Sequence, residues 1–190
     1  FHLGFHASCV DNNLFILTHS RHVVYLLLYV DDIIITGSDK VLVADIITQL
    51  GVSFALKDLG PLHYFLGLRI EYSGDGIFVH QSKYATDLLS NFHMLDCEPC
   101  SNPCASAHSH ALGVSPLLSD PTAYRSFVGA LQYLTFTRPN LSYAIQKACQ
   151  FMSKPSQLHL VATKRILRYL RGTLHKGIYF RPGSLTLLAY

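Results

Sequence analysis

No apolar stretch of the 190-residue chain reaches the roughly 20 residues that a membrane-spanning helix requires, so no such helix is expected. The nearest approach, from Val23 to Thr36, is cut by Asp31 and Asp32. No secretory leader is recognisable at Phe1, and the first residue is not Met, as expected of a fragment or a processed product. Cysteine is sparse and odd in number, five in all, which excludes a disulfide scaffold. Internal repeats of solenoid period are absent. Charge is modest: fifteen Lys and Arg against twelve Asp and Glu leave a net +3 with eleven His neutral, a balance that permits a polyanionic partner without demonstrating one. What the chain does have is apolar content, 49%, enough for the core of one full domain or two small ones.

The most informative stretch is His22 to Thr36, HVVYLLLYVDDIIIT. Its apolar runs, Val23–Val30 and Ile33–Ile35, suit two buried strands, and two adjacent carboxylates stand between them. Two unit charges about 4 Å apart repel by roughly 4 kcal/mol at an effective dielectric of 20. Water, hydrogen-bond donors or a divalent cation must offset that repulsion. Neighbouring side chains on a flat strand face opposite sides, so the pair serves one site only at a tight bend. Asp is a good turn residue, but the favoured two-residue hairpin turns take Asn-Gly, Asp-Gly or Gly-X. Spacing alone therefore leaves a turn and a metal site as equal alternatives.

Around this stretch the pattern predicts an α+β fold. Leu14–Thr18 is a short strand after the Asp11-Asn12-Asn13 turn, in which Asp11 is a turn former. Ser38 is the expected N-cap of a helix with Asp39 in its first turn, carrying Val43, Ile46, Ile47 and Leu50 on one face, exposing Asp45 and ending at Gly51. A hairpin is expected from Tyr64–Tyr72 and Ile77–His80, interrupted at Gly67, where another backbone would approach closely. From Gln81 the chain changes character: a short helix over Lys83–Phe92, a connector from Pro99 to Pro121, then helices. Tyr124, Phe127, Val128, Leu131 and Leu134 form one stripe. Leu141, Ile145, Ala148 and Met152 form a second, begun by Pro139 and ended by Pro155. A third helix spans Ser156–Thr173, and Gly177–Phe180 returns to strand.

That third helix aligns Lys164, Arg168 and Arg171, with Arg165 beside them, into a basic ridge at about 100° per residue. Long basic stems also cover apolar surface, so the ridge is either a solvated face or a track for phosphates. Cys97, Cys100 and Cys104 with His108 and His110 offer soft ligands for zinc. Their spacing is irregular, no second Cys-x2-Cys arm exists, and Pro99 and Pro103 favour an extended connector.

Tyr29-Val30-Asp31-Asp32, continuing as Ile33-Ile34-Ile35-Thr36-Gly37, resembles the Y-x-D-D box of reverse transcriptases of copia-type LTR retrotransposons. The likeness is collinear over most of the chain: FALKDLGPLHYFLGLRI at Phe54–Ile70, QSKYATDLL at Gln81–Leu89, DPTAYRSFVGALQYLTFTRPNLSYAI at Asp120–Ile145 and TKRILRYLRGT at Thr163–Thr173.

The resemblance implies a partial right-hand polymerase fold. Residues 1–80 would be the later palm, an antiparallel sheet with the YVDD hairpin and a primer-grip-like hairpin. Residues 81–119 would be a short helix and connector, and residues 120–190 a helical thumb or connection-like region whose last residues, Leu185–Tyr190, approach an RNase H domain. It implies RNA-directed DNA polymerisation by two-metal phosphoryl transfer, with Mg2+ on Asp31 and Asp32. It also implies contacts of Tyr29, Val30, Phe65, Leu66, Gly67, Lys164, Arg165, Arg168 and Arg171 with an RNA or DNA template-primer. In the family the fingers and the first catalytic Asp precede the position of Phe1 and RNase H follows the thumb; Asp39, Asp45, Glu71 and Asp75 do not replace that Asp. The expectation is a fragment inactive by itself, with a nucleic-acid-binding remnant or a transposon relic as alternatives. The residues name no compartment.

Overall fold

The computed structural model describes residues 3–54, 56–104 and 115–183. The chain divides into two compact units, Phe1–Leu62 and His63–Tyr190, each with its own antiparallel sheet. Among the described residues the fold is α+β, with eight strands and five α-helices.

The first unit contains β1 (His6–Ala7), β2 (Leu14–His19), β3 (His22–Tyr29) and β4 (Asp32–Gly37), hydrogen-bonded in that order, followed by α1 (Lys40–Ser53). Branched and aromatic side chains favour these strands, and register places Phe15 beside Leu26 and Leu26 beside Ile35. Val24 and Leu26 are buried with Ile46 and Leu50 of α1 and Phe5, and Leu17, Leu28 and Ile33 pack at the margin. Each fully buried side chain of this kind contributes about 1.5–3 kcal/mol. The opposite face carries Ile16, Tyr25, Leu27 and Ile34, and Tyr25 is exposed. The expectation is two buried strands; a single helix, α1, packs on one face, so they are half-buried instead.

The start of α1 also differs from the sequence expectation. Asp39, not Ser38, is the N-cap, accepting from the amides of Val41 and Leu42 at 2.8 and 3.4 Å. Ser38 instead uses its hydroxyl oxygen to accept from the Val23 amide at 3.1 Å. A carboxylate at the cap also meets the positive end of the helix dipole, which a hydroxyl does not exploit. The helix runs through Gly51 to Ser53.

The second unit begins with β5 (Tyr64–Phe65), β6 (Leu68–Ser73) and β7 (Gly76–His80), then α2 (Ser82–Asn91), α3 (Pro121–Tyr133), α4 (Ser142–Cys149) and α5 (Gln157–Arg171). β8 (Ile178–Phe180) returns to pair with β7, Ile77 beside Phe180 and Val79 beside Ile178. Gly177 permits this closure, since a Cβ there would sit 2.3 Å from the Val79 carbonyl oxygen.

Leu89, Phe127, Leu131, Leu134, Ile145, Leu167 and Leu170 form the helical core, so the expected stripes face inward. The expected Pro139–Met152 helix is shorter: Pro139–Leu141 is a 3-10 turn, and α4 closes at Cys149. Phe151 and Met152 donate back only three residues, to Ala148 and Cys149, which tightens and ends the turn. Along the sequence the boundary between the two compact units falls after Leu62, ahead of the change in character at Gln81, so the hairpins of residues 64–80 belong with the helices.

Candidate active site

β3 and β4 are joined by a two-residue turn, Val30–Asp31, with Tyr29 paired to Asp32 across it. Val30 adopts φ 52. A β-branched residue there is a genuine outlier, because its Cβ crowds the following carbonyl. The turn thus resolves the mismatch between Asp-Asp and hairpin preferences: Val30 takes the left-handed position, and Asp32 is the first residue of β4. As cross-strand partners, Tyr29 and Asp32 stand on one sheet face, the face away from α1. Val30 is 90% exposed, and both carboxylates are exposed beside it.

Exposure changes the energetic argument. In bulk water two charges about 4 Å apart repel by only about 1 kcal/mol, so the fold tolerates the pair without a cation. Carboxylate oxygens suit a hard divalent ion, which keeps several waters. Among the described residues, however, no three His, Cys, Asp or Glu side chains converge to hold a metal. Asp31 and Asp32 therefore fit part of a metal site, and the described residues do not complete it.

Phe65, Leu66 and Gly67 lie in the second unit, where the expected single hairpin is two. Leu66 at φ 47 and Gly67 at φ 73 form a two-residue turn between Phe65 and Leu68. Two consecutive left-handed residues match the twist of the flanking strands. The expected close backbone approach at Gly67 is instead a side chain, since a Cβ there would meet Tyr133 Cε1 at 3.5 Å. The Tyr133 hydroxyl donates to the Leu66 carbonyl.

The basic ridge lies on α5, and three of its members already hold protein groups. Arg171 Nε donates to the Leu95 carbonyl at 2.6 Å, Arg168 Nε to that of Glu98 at 2.7 Å and Arg165 Nε to that of Asn102 at 3.0 Å. The connector therefore runs antiparallel to α5, strapped every three residues of the helix. Lys164 is exposed. Each guanidinium has five N–H donors, so the strap does not exhaust their capacity.

Cys97, Cys100 and Cys104 are free thiols on that strapped segment, with Cys100 Sγ 3.5 Å from the Arg165 carbonyl oxygen. His108, His110 and Leu185–Tyr190 lie outside the described residues. Arg138, which no sequence motif singles out, is 3% exposed. Its terminal nitrogens donate to the Thr173 carbonyl and hydroxyl oxygens at 2.9 and 2.7 Å, and Nε to Asn140 at 3.3 Å. Burial lowers its pKa, and the negative end of α5, two residues before Thr173, offsets the charge. The available signal was an arginine set directly before a helix-starting proline, between two apolar stripes.

A family model described as reverse transcriptase (RNA-dependent DNA polymerase) matches residues 1–106. The chain is 44% identical over 189 residues to the retrovirus-related Pol polyprotein from transposon RE1 of Arabidopsis thaliana, covering 99% of this chain and 13% of that protein. To the corresponding polyprotein from transposon TNT 1-94 of Nicotiana tabacum it is 37% identical over 176 residues, 88% of this chain and 13% of the other. An uncharacterized mitochondrial protein of Arabidopsis thaliana is 47% identical over 161 residues, 85% of this chain and 67% of that protein. No solved structure gives a significant match. Carrying its Tyr-Val-Asp-Asp at a hairpin tip, the chain belongs to the reverse transcriptase (RNA-dependent DNA polymerase) family and corresponds to a segment of a copia-type retrotransposon Pol polyprotein.

Proposed function

We propose that the chain is the later palm and the thumb of a right-hand polymerase, supplying two of the carboxylates of a two-metal site and the helices that hold a template-primer. The observation that carries this reading is the tip of the β3–β4 hairpin, where Val30 is left-handed and Asp31 and Asp32 are both exposed. Backbone outliers concentrate at functional sites because the surrounding structure must over-determine them. Asp31 is the principal Mg2+ ligand and Asp32 the auxiliary one. When bound, such ions activate a 3′-hydroxyl and stabilise the leaving pyrophosphate.

The chain's own residues do the positioning. Tyr29 shares a sheet face with Asp32 and lies beneath a primer end, with Val30 beside it. Phe65, Leu66 and Gly67 form the turn that grips the primer, and Lys164, Arg165, Arg168 and Arg171 face its phosphates. β4 is the outermost strand of its sheet, and no described strand pairs with its outer edge. A further strand laid there would run beside Asp32, which is where a third carboxylate is required.

The 190 residues by themselves are therefore inactive. Primer extension by the purified chain with Mg2+ is expected to show no incorporation above a protein-free control. Incorporation that is lost in Asp31→Asn would overturn the inactivity.

A further inference from the structure

Charge is segregated along the chain. Residues 121–190 hold ten Lys and Arg and no Asp or Glu, whereas residues 1–120 hold five Lys and Arg and all twelve Asp and Glu. The segment containing α3, α4 and α5 is thus uniformly basic, which is the electrostatic footprint of a polyanion partner.

Within it, one region combines positive charge with exposed aromatic rings and a cavity. On α4, Tyr143 and Lys147 stand one turn apart, with Lys147 Nζ 5.2 Å from the Tyr143 ring centroid and that ring 65% exposed. Phe151, 40% exposed, stacks on His159 with centroids 3.8 Å apart and planes 16° from parallel. Between α4 and the start of α5 lies a cavity of about 430 Å³, lined by Lys147, Phe151, Leu158, His159, Ala162 and Ile166 among others. That volume is in the usual range for small-ligand sites. At about 100° per residue, the lining positions of α5 stand away from Lys164, Arg168 and Arg171, and of the ridge only Arg165, which straps Asn102 beside the lining residues Pro103 and Cys104, borders this surface.

We infer that the α4–α5 cavity and its aromatic rim bind an unpaired nucleic-acid strand, a base entering against Phe151 while Lys147 meets a neighbouring phosphate. A duplex keeps its bases stacked and offers this rim only phosphates. A single strand offers the π-faces that aromatic side chains recognise, with little regard to sequence. The inference rests on the nucleic-acid-binding reading above and adds to it a site for the unpaired strand.

Fluorescence anisotropy of the 190-residue chain, with labelled oligo(dT) and with a blunt DNA duplex, tests it. Phe151→Ala and Tyr143→Ala are each expected to weaken oligo(dT) binding about tenfold and to leave duplex affinity unchanged. Lys147→Gln is expected to make the single-strand salt dependence shallower by about 0.7 in log–log slope. Circular dichroism melts establish that the variants fold, and Tyr143→Ala removes only an exposed ring. Oligo(dT) affinity equal in wild type and both aromatic variants would overturn the inference, as would equal losses on both ligands. Duplex binding with no binding of oligo(dT) refutes this site alone, whereas no binding of either ligand refutes the nucleic-acid reading beneath it as well.

Discussion

Val30 and Arg138 are the two residues whose positions are hardest to explain by local preference. A left-handed β-branched residue costs about 1–2 kcal/mol, and Val30, almost fully exposed, recovers none of it by packing. Val30→Gly is therefore expected to raise stability by about 0.5–1 kcal/mol, the relief of strain outweighing the greater freedom of the unfolded chain. A thermal melt shifted downward would mean that the valine side chain does something that the exposed tip does not show. Arg138 is the converse case, a buried cation that links the turn before α4 to Thr173 beyond α5. Arg138→Met leaves the Thr173 carbonyl and hydroxyl without those donors, and urea unfolding is expected to show a loss of about 3 kcal/mol. Arg138→Lys recovers little, because a point-like ammonium does not reproduce the guanidinium fork. A loss below about 1 kcal/mol in the Met variant would mean that the network is dispensable.

Among the elements, α5 does more than its sequence pattern suggested. Its arginines strap Leu95, Glu98 and Asn102 by their carbonyls, and each such bond contributes about 0.5–1.5 kcal/mol. Replacing Arg165, Arg168 and Arg171 together by Ala is expected to raise hydrogen exchange over residues 95–104 while α3 stays protected. Unchanged exchange there would show that Pro99, packed against Gly172, holds the connector without the strap. The apolar spacing of α1, α3 and α5 was legible because one face of each helix is buried, and that periodicity is written locally. The two strands flanking the Asp pair were legible from their unbroken, β-branched apolar runs, which carry no sign of which face is covered. The strap was not, since Arg168 and Glu98 lie 70 residues apart and a backbone carbonyl leaves no mark in sequence. Leu66 and Val30 at positive φ were equally hidden, because neither residue type signals a left-handed turn.

For the whole chain, the likeness to copia-type Pol polyproteins covers 99% of its length but 13% of the RE1 polyprotein. The role of the Asp pair is therefore best tested where the rest of the polymerase is present. Asp31 and Asp32 are the parts of the candidate site that spacing alone brought into view. What spacing did not supply was their exposure on a hairpin tip and the lack of a third acidic partner among the described residues. The most direct measurement is Mg2+-dependent primer extension by the RE1 Pol polyprotein in which the matching segment is replaced by these 190 residues. The expected result is that the chimera incorporates nucleotides, and that Asp31→Asn lowers the rate by at least about a thousandfold while template-primer affinity is retained. A chimera that polymerises equally well with Asp31→Asn, or with both carboxylates neutralised, would contradict it.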